Sequence, residues 1–131
     1  MRELNVIKNS KTNEEENIKN LLGKIINVKI DRPIGSVHPS YKDMIYETNY
    51  GYYDEYVSCD NEFLDCYIVG ESLPLEKDST YEGKVIAIIH RLNDDEDKLV
   101  VAPINREVSK DEIITKTEFT EQYFVTDIIL A

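Results

Sequence analysis

Between Lys24 and Ala102 the chain is a succession of short β-forming segments, each closed by glycine, proline or polar turn residues. A helical period takes over only beyond Ser109. Several short strands in order, then one helix, specify a mainly β domain. Lys24 to Asp31 (KIINVKID) reads as the first strand, closed by Pro33 and Gly35. Residues 36–44 (SVHPSYKDM) read as an irregular loop, because Pro39 has no donor for a ladder. Tyr56 to Val57 and Leu64 to Val69 are strand candidates, the latter rich in β-formers. Gly83 precedes a long strand, Lys84 to Arg91; Asn93 to Asp97 turn the chain, and Leu99 to Ala102 return it as a hairpin.

Ser109-Lys110-Asp111-Glu112 has the form of a capping box. Ile113, Thr117, Thr120 and Phe124 follow at helical spacing, with Ile114 and Phe119 nearby, and predict an amphipathic helix over 110–124. At the other end Thr12 or Asn13 caps a short helix running toward Leu21-Leu22 and ended by Gly23, or residues 1–22 form a flexible tail. The expected fold is α+β and mainly β. It is a five-stranded OB-like barrel over 23–131 with the C-terminal helix packed against it.

At 131 residues the chain fits one domain and is long enough to bury a core without disulfide or metal staples. Its formal net charge of -11 repels phosphate backbones and anionic lipid, so neither nucleic acid nor a membrane is an expected partner. The same charge suits divalent cations. The longest uncharged apolar run, Val85 to Ile89, is too short to span a bilayer, and the N-terminus lacks the apolar core of a signal peptide. Cys59 and Cys66 show no CxxC spacing, so a zinc site is not expected. A cytoplasmic protein with reduced thiols is the simplest expectation.

The segment Tyr46 to Asp65 (YETNYGYYDEYVSCDNEFLD) carries the chemistry. Asp60 and Glu62 share a face if the chain there is extended, and Asn61 favours a turn that swings Asp65 toward them. Three converging carboxylates suit Mg²⁺ or Mn²⁺. Spacing alone leaves a solvated acidic loop as the open alternative. Likewise Asp94 to Asp97 read as a solvated hairpin tip, and His90 and Arg91 as either a surface-facing pair or phosphate contacts. Tyr46, Tyr50, Tyr52 and Tyr53 read as core aromatics with bonded hydroxyls rather than as a stacking surface for bases.

Tyr46-Glu47-Thr48-Asn49-Tyr50-Gly51-Tyr52 resembles the aromatic stretch YPxNYGY of soluble inorganic pyrophosphatases. Asp60-Asn61-Glu62-Phe63-Leu64-Asp65 is similar to that family's D-x-D-P-x-D, with Glu62 for the middle aspartate and Phe63 for proline. Gly83-Lys84-Val85-Ile86 resembles its GxVI strand, Glu96-Asp97-Lys98-Leu99-Val100 its DxK return strand, and Glu121-Gln122-Tyr123 the ExY of its terminal helix. The matches run in family order over roughly residues 23–124, and their ordered combination is specific.

The resemblance implies Mg²⁺-dependent, or Mn²⁺-dependent, hydrolysis of pyrophosphate by a metal-activated water, in a protein that forms homo-oligomers. It makes Asp60, Glu62, Asp65 and Glu96 metal ligands, with Glu62 also orienting or deprotonating the water. Lys98 and Tyr123 bind phosphate, with Arg91 and His90 as weaker contacts, and Tyr50 borders the site. Several family positions have changed. Its acids and lysine around the first strands lack counterparts, and Arg32 or Lys42 substitutes for its arginine. The aspartate ending its GxVI strand gives way to Ile89-His90-Arg91-Leu92-Asn93, and its final lysine to Phe124. Weakened hydrolysis is therefore expected. Two alternatives stand beside it: a binding or regulatory module that has lost hydrolysis, and a phosphohydrolase acting on a nucleotide or other small phosphoester.

Overall fold

The computed structural model describes residues 11–58, 61–93 and 96–131. Its elements run α1 (Lys11–Lys19), β1 (Ile25–Arg32), β2 (Asn49–Val57), β3 (Phe63–Ile68), β4 (Thr80–Arg91), β5 (Asp97–Ala102), α2 (Lys110–Glu121) and β6 (Thr126–Leu130). The sheet order is β1-β2-β3-β5-β4-β6, and a further β1–β4 pairing closes the first five strands into a barrel. All pairings are antiparallel except β3–β5, which is parallel. A five-stranded barrel with a C-terminal helix is the fold the sequence predicts, but β2 begins at Asn49 rather than Tyr56, β4 at Thr80 rather than Lys84, and α2 ends at Glu121, short of Phe124. The sequence assigns no element after residue 124, where the model has β6. It pairs with the second half of β4, beyond the reach of β1.

Alternation along the strands sorts the side chains into two layers. Ile26, Val28, Ile30, Leu64, Cys66, Ile68, Leu99 and Val101 fill the barrel, and Ile18 of α1 packs onto them. Tyr50, Tyr67, Val69, Val100 and Ala102 lie on the outer face beneath Ile113 and Phe119 of α2. Full burial of a side chain such as Ile113 stabilises the docking by about 2 kcal/mol.

Bulges adjust the parity. A register shift between Val85 and Ala87 allows Val85 and Ile88 both to enter the barrel core. A second shift lies between Ile30 and Arg32, so that Arg32 pairs with Tyr50 while Ile30 pairs with Gly51. It turns Arg32 out of the barrel, onto the tyrosines of the outer face. Gly51 permits this close crossing, since a Cβ there would lie 1.9 Å from the carbonyl oxygen of Lys29.

Helix α2 begins at Ser109, whose side chain accepts a hydrogen bond from the Glu112 backbone N–H at 3.1 Å. The Glu112 carboxylate goes to Arg106 at 3.0 Å. Ile113, Thr117, Phe119 and Glu121 are the buried residues of the helix, while Ile114 is 41% exposed.

Candidate functional site

The outer face places Asp65 and Lys98 on one layer, because each lies two residues before a buried member of it, Tyr67 and Val100. In the parallel β3–β5 register they are direct partners. Lys98 is buried, and its ammonium donates to Asp65 Oδ2 at 2.8 Å, Tyr50 Oη at 2.9 Å and Glu96 Oε2 at 3.0 Å. An ammonium has three N–H donors, and all three are used. Burial alone would lower the Lys98 pKa, but the charges of Asp65 and Glu96 outweigh it and hold the pKa above the ordinary value. Burial, then Asp65, keeps Tyr50 a neutral phenol well beyond its usual range.

A second cation joins this cluster. Arg91 is buried and donates to Glu121 through Nε at 3.1 Å and Nη2 at 2.7 Å, and to Glu96 at 3.1 Å. Tyr67 donates to the same Glu121 at 2.6 Å. The Phe124 ring lies 3.6 Å from the Arg91 guanidinium carbon, a cation–π contact. Glu96 thus bridges Lys98 and Arg91, and three carboxylates share two cations in one continuous network.

This network borders an open cleft of about 1220 Å³, whose lining includes Tyr50, Asp65, Arg91, Lys98 and Tyr123. These residues singled out from the sequence come together at the cleft, and Glu96, singled out with them, joins them through Lys98 and Arg91. Tyr123 stands at the rim, 66% exposed, just beyond the end of α2. Glu62 is exposed on the loop before β3 and is not part of the lining. His90 also lies off the cleft, its Nδ1 2.6 Å from Oδ1 of its cross-strand partner Asp97. Asp60, Cys59, Asp94 and Asp95 lie outside the described residues. Cys66 is a fully buried core residue, and burial pushes its thiol well above its usual pKa.

The sequence names Glu121 only as the acid of the ExY match, without a role, and does not single out Tyr67. The signal for Glu121 is its place four residues after Thr117 and eight after Ile113, which puts an acid on the buried stripe of α2. Arg32 appears in the sequence only as a substitute for a missing arginine. In the fold it lines the cleft and donates to the Tyr46 hydroxyl.

Asp65 and Glu96 supply the hard oxygens that Mg²⁺ prefers, but both meet at the Lys98 ammonium. Among the described residues no three His, Cys, Asp or Glu side chains form a group able to hold a metal ion. The described residues alone therefore do not make a Mg²⁺ site. No helix among them is long and apolar enough to cross a membrane.

No protein-family model matches the sequence, and no curated protein matches it. Solved structures do match. An inorganic pyrophosphatase from Ehrlichia chaffeensis superposes with a TM-score of 0.63 at 14% identity, over 81% of this chain and 85% of that one. One from Neisseria gonorrhoeae is 26% identical with a TM-score of 0.58, over 77% of this chain and 74% of that one. One from Thermus thermophilus gives 0.58 at 14% identity, over 80% of each chain. The barrel, its closing strand pair and its helix are thus similar in fold to inorganic pyrophosphatases, which suggests that family.

Proposed function

We propose that this protein hydrolyses inorganic pyrophosphate in a Mg²⁺-dependent reaction, with Mn²⁺ as a substitute ion. The observation that carries the reading is the buried Lys98, bonded to Asp65, Glu96 and Tyr50 at the cleft of a pyrophosphatase-like fold. Charge supports it. Four acids (Asp31, Asp43, Glu47, Asp65) and four bases (Arg32, Lys42, Arg91, Lys98) line the cleft, and with Glu96 and Glu121 bonded to its cations the site is only slightly acidic in a chain of net charge -11. An anion meets less repulsion there than over the rest of the surface.

In this reading Asp60, Glu62 and Asp65 would hold the metal, with Glu96 beside them. A divalent ion supplies charge neutralisation and a more acidic bound water. Lys98 binds a phosphate oxygen after giving up one of its carboxylate partners. Tyr50 holds the ammonium in place, and Tyr123 closes the rim over the phosphate. Glu62 accepts the proton of the attacking water. The proposed setting is the cytoplasm, and the proposed assembly a homo-oligomer.

A second reading, a binding module without hydrolysis, is favoured by the saturation of Lys98 and Arg91 by three carboxylates. Phosphate release from pyrophosphate, with and without Mg²⁺ and beside a small panel of nucleotides, separates the two. Metal-dependent release supports the hydrolase. Binding of pyrophosphate without release supports the module.

A further inference from the structure

The cleft is larger than a diphosphate needs. At about 1220 Å³ it exceeds the range of roughly 300–1,000 Å³ that encloses drug-sized ligands. Its outer part is built of rings. The Arg32 guanidinium carbon lies 5.4 Å from the centre of the Tyr46 ring. Tyr46 stacks on His38 at 6.1 Å with planes 5° apart, and His38 lies 5.0 Å from Tyr41. Tyr46 is buried, whereas Tyr41 is 64% exposed, so the run of rings leads from the core to solvent. Burial, then the Arg32 charge, holds the His38 pKa below its usual value, so the imidazole is a neutral aromatic face at neutral pH.

Arg32 also differs from the two cations deeper in the cleft. Its hydrogen bond goes to a phenol, the Tyr46 hydroxyl, and the Asp31 carboxylate stands off at 3.7 Å. A phosphate approaching Arg32 has no hydrogen-bonded carboxylate to displace, and a guanidinium suits phosphate geometry. A run of rings that is exposed at Tyr41 and leads inward to such a cation matches a ligand with a planar ring at one end and phosphate at the other.

We infer that the outer half of the cleft binds a nucleoside diphosphate, its base stacked on Tyr41 and His38 and its phosphates on Arg32, directed toward Lys98. The inference rests on the reading of this cleft as a phosphate site and names the class of ligand it takes. Stacking of a base on an aromatic side chain is sequence-tolerant, so the site reads the ring more than the identity of the base.

The test is calorimetric titration of the full chain with ADP, adenosine and inorganic pyrophosphate, each with and without Mg²⁺. ADP is expected to bind at least about tenfold more tightly than pyrophosphate. Tyr41→Ala, at an exposed loop position, should weaken ADP by about tenfold and leave pyrophosphate within about twofold, while Tyr41→Phe keeps the parent affinity. Arg32→Met should weaken both diphosphates. Pyrophosphate binding as tightly as ADP, no ADP binding at all, or equal ADP affinity in parent and Tyr41→Ala would each overturn the inference. Hydrolysis of pyrophosphate without an ADP preference would leave the proposed activity standing and remove this site. Tyr41-dependent ADP binding without phosphate release would do the reverse.

Discussion

Asp65 and Lys98 sit directly opposite each other in the parallel β3–β5 pair, and their side chains meet at 2.8 Å. The pairing brings an acid and a base 33 residues apart to one point of the cleft. Lys98→Met should therefore leave Asp65 without its ammonium partner and Glu96 with Arg91 alone. Both carboxylates are partly open to water, 35% and 39% exposed, so the expected loss is moderate, about 1–3 kcal/mol by urea unfolding. A variant as stable as the parent would mean that the cluster contributes nothing to folding.

The Arg91–Glu121 pair is more deeply buried, at 6% and 5% side-chain exposure. Glu121→Gln removes the charge that both Arg91 and Tyr67 use. The expected cost is about 1–3 kcal/mol, because the buried guanidinium loses its more buried carboxylate and keeps the more exposed Glu96. Adding Arg91→Met should recover part of it. If the double variant is less stable than Glu121→Gln alone, the weakened pairing of Arg91 is not the cause.

Alkaline pH should unfold the protein early. Burial raises the pKa of Cys66, Tyr50 and Tyr67, and the neighbouring acids raise that of Lys98. In each case the unfolded chain gives up its proton at a lower pH than the folded one. The stabilisation is thus complete below the unfolded values, about 8.5 for the thiol and about 10 for the others, and is lost as pH rises beyond them. Melting temperature should be level near pH 8, fall from about pH 9 and fall more steeply above about 10. Tyr67→Phe should flatten the steeper part. A melting temperature unchanged to pH 11 would contradict the burial of these groups.

The barrel was readable because its strands obey simple alternation. Along β1 the pattern of exposed and buried residues is regular from Ile25 to Ile30, and the sequence KIINVKID already displays it. Helix α2 announced itself through Ser109. The parallel β3–β5 pairing was not readable, since no local rule joins strands separated by another strand, here β4. The motif resemblance named Asp65 and Lys98, but not their hydrogen bond or the saturation of the ammonium. Strand β6 escaped notice because it is a half-exposed edge, with a weak burial pattern. The aromatic run from Tyr46 to Tyr41 is hidden in a loop that Pro39 marks as irregular, across which Val37 and Ile45 bridge.

Metal dependence has a direct check in thermal stability. A ligand that binds only the folded chain raises its melting temperature with concentration. Added Mg²⁺ or Mn²⁺ should do so in the parent and much less in Asp65→Asn. The same rise in both would exclude Asp65 as a ligand.

The central claim is tested most directly by phosphate release from inorganic pyrophosphate, measured with and without Mg²⁺ for the parent, Lys98→Ala and Glu62→Gln. The account predicts release by the parent that requires the metal and is slower than that of an enzyme with the full set of family acids. It predicts a loss of about a hundredfold in Lys98→Ala, the usual scale for one electrostatic contact, and a strong loss in Glu62→Gln, because an amide cannot accept the water's proton. No release by the parent at any Mg²⁺ or Mn²⁺ concentration, or equal rates in all three proteins, would contradict it.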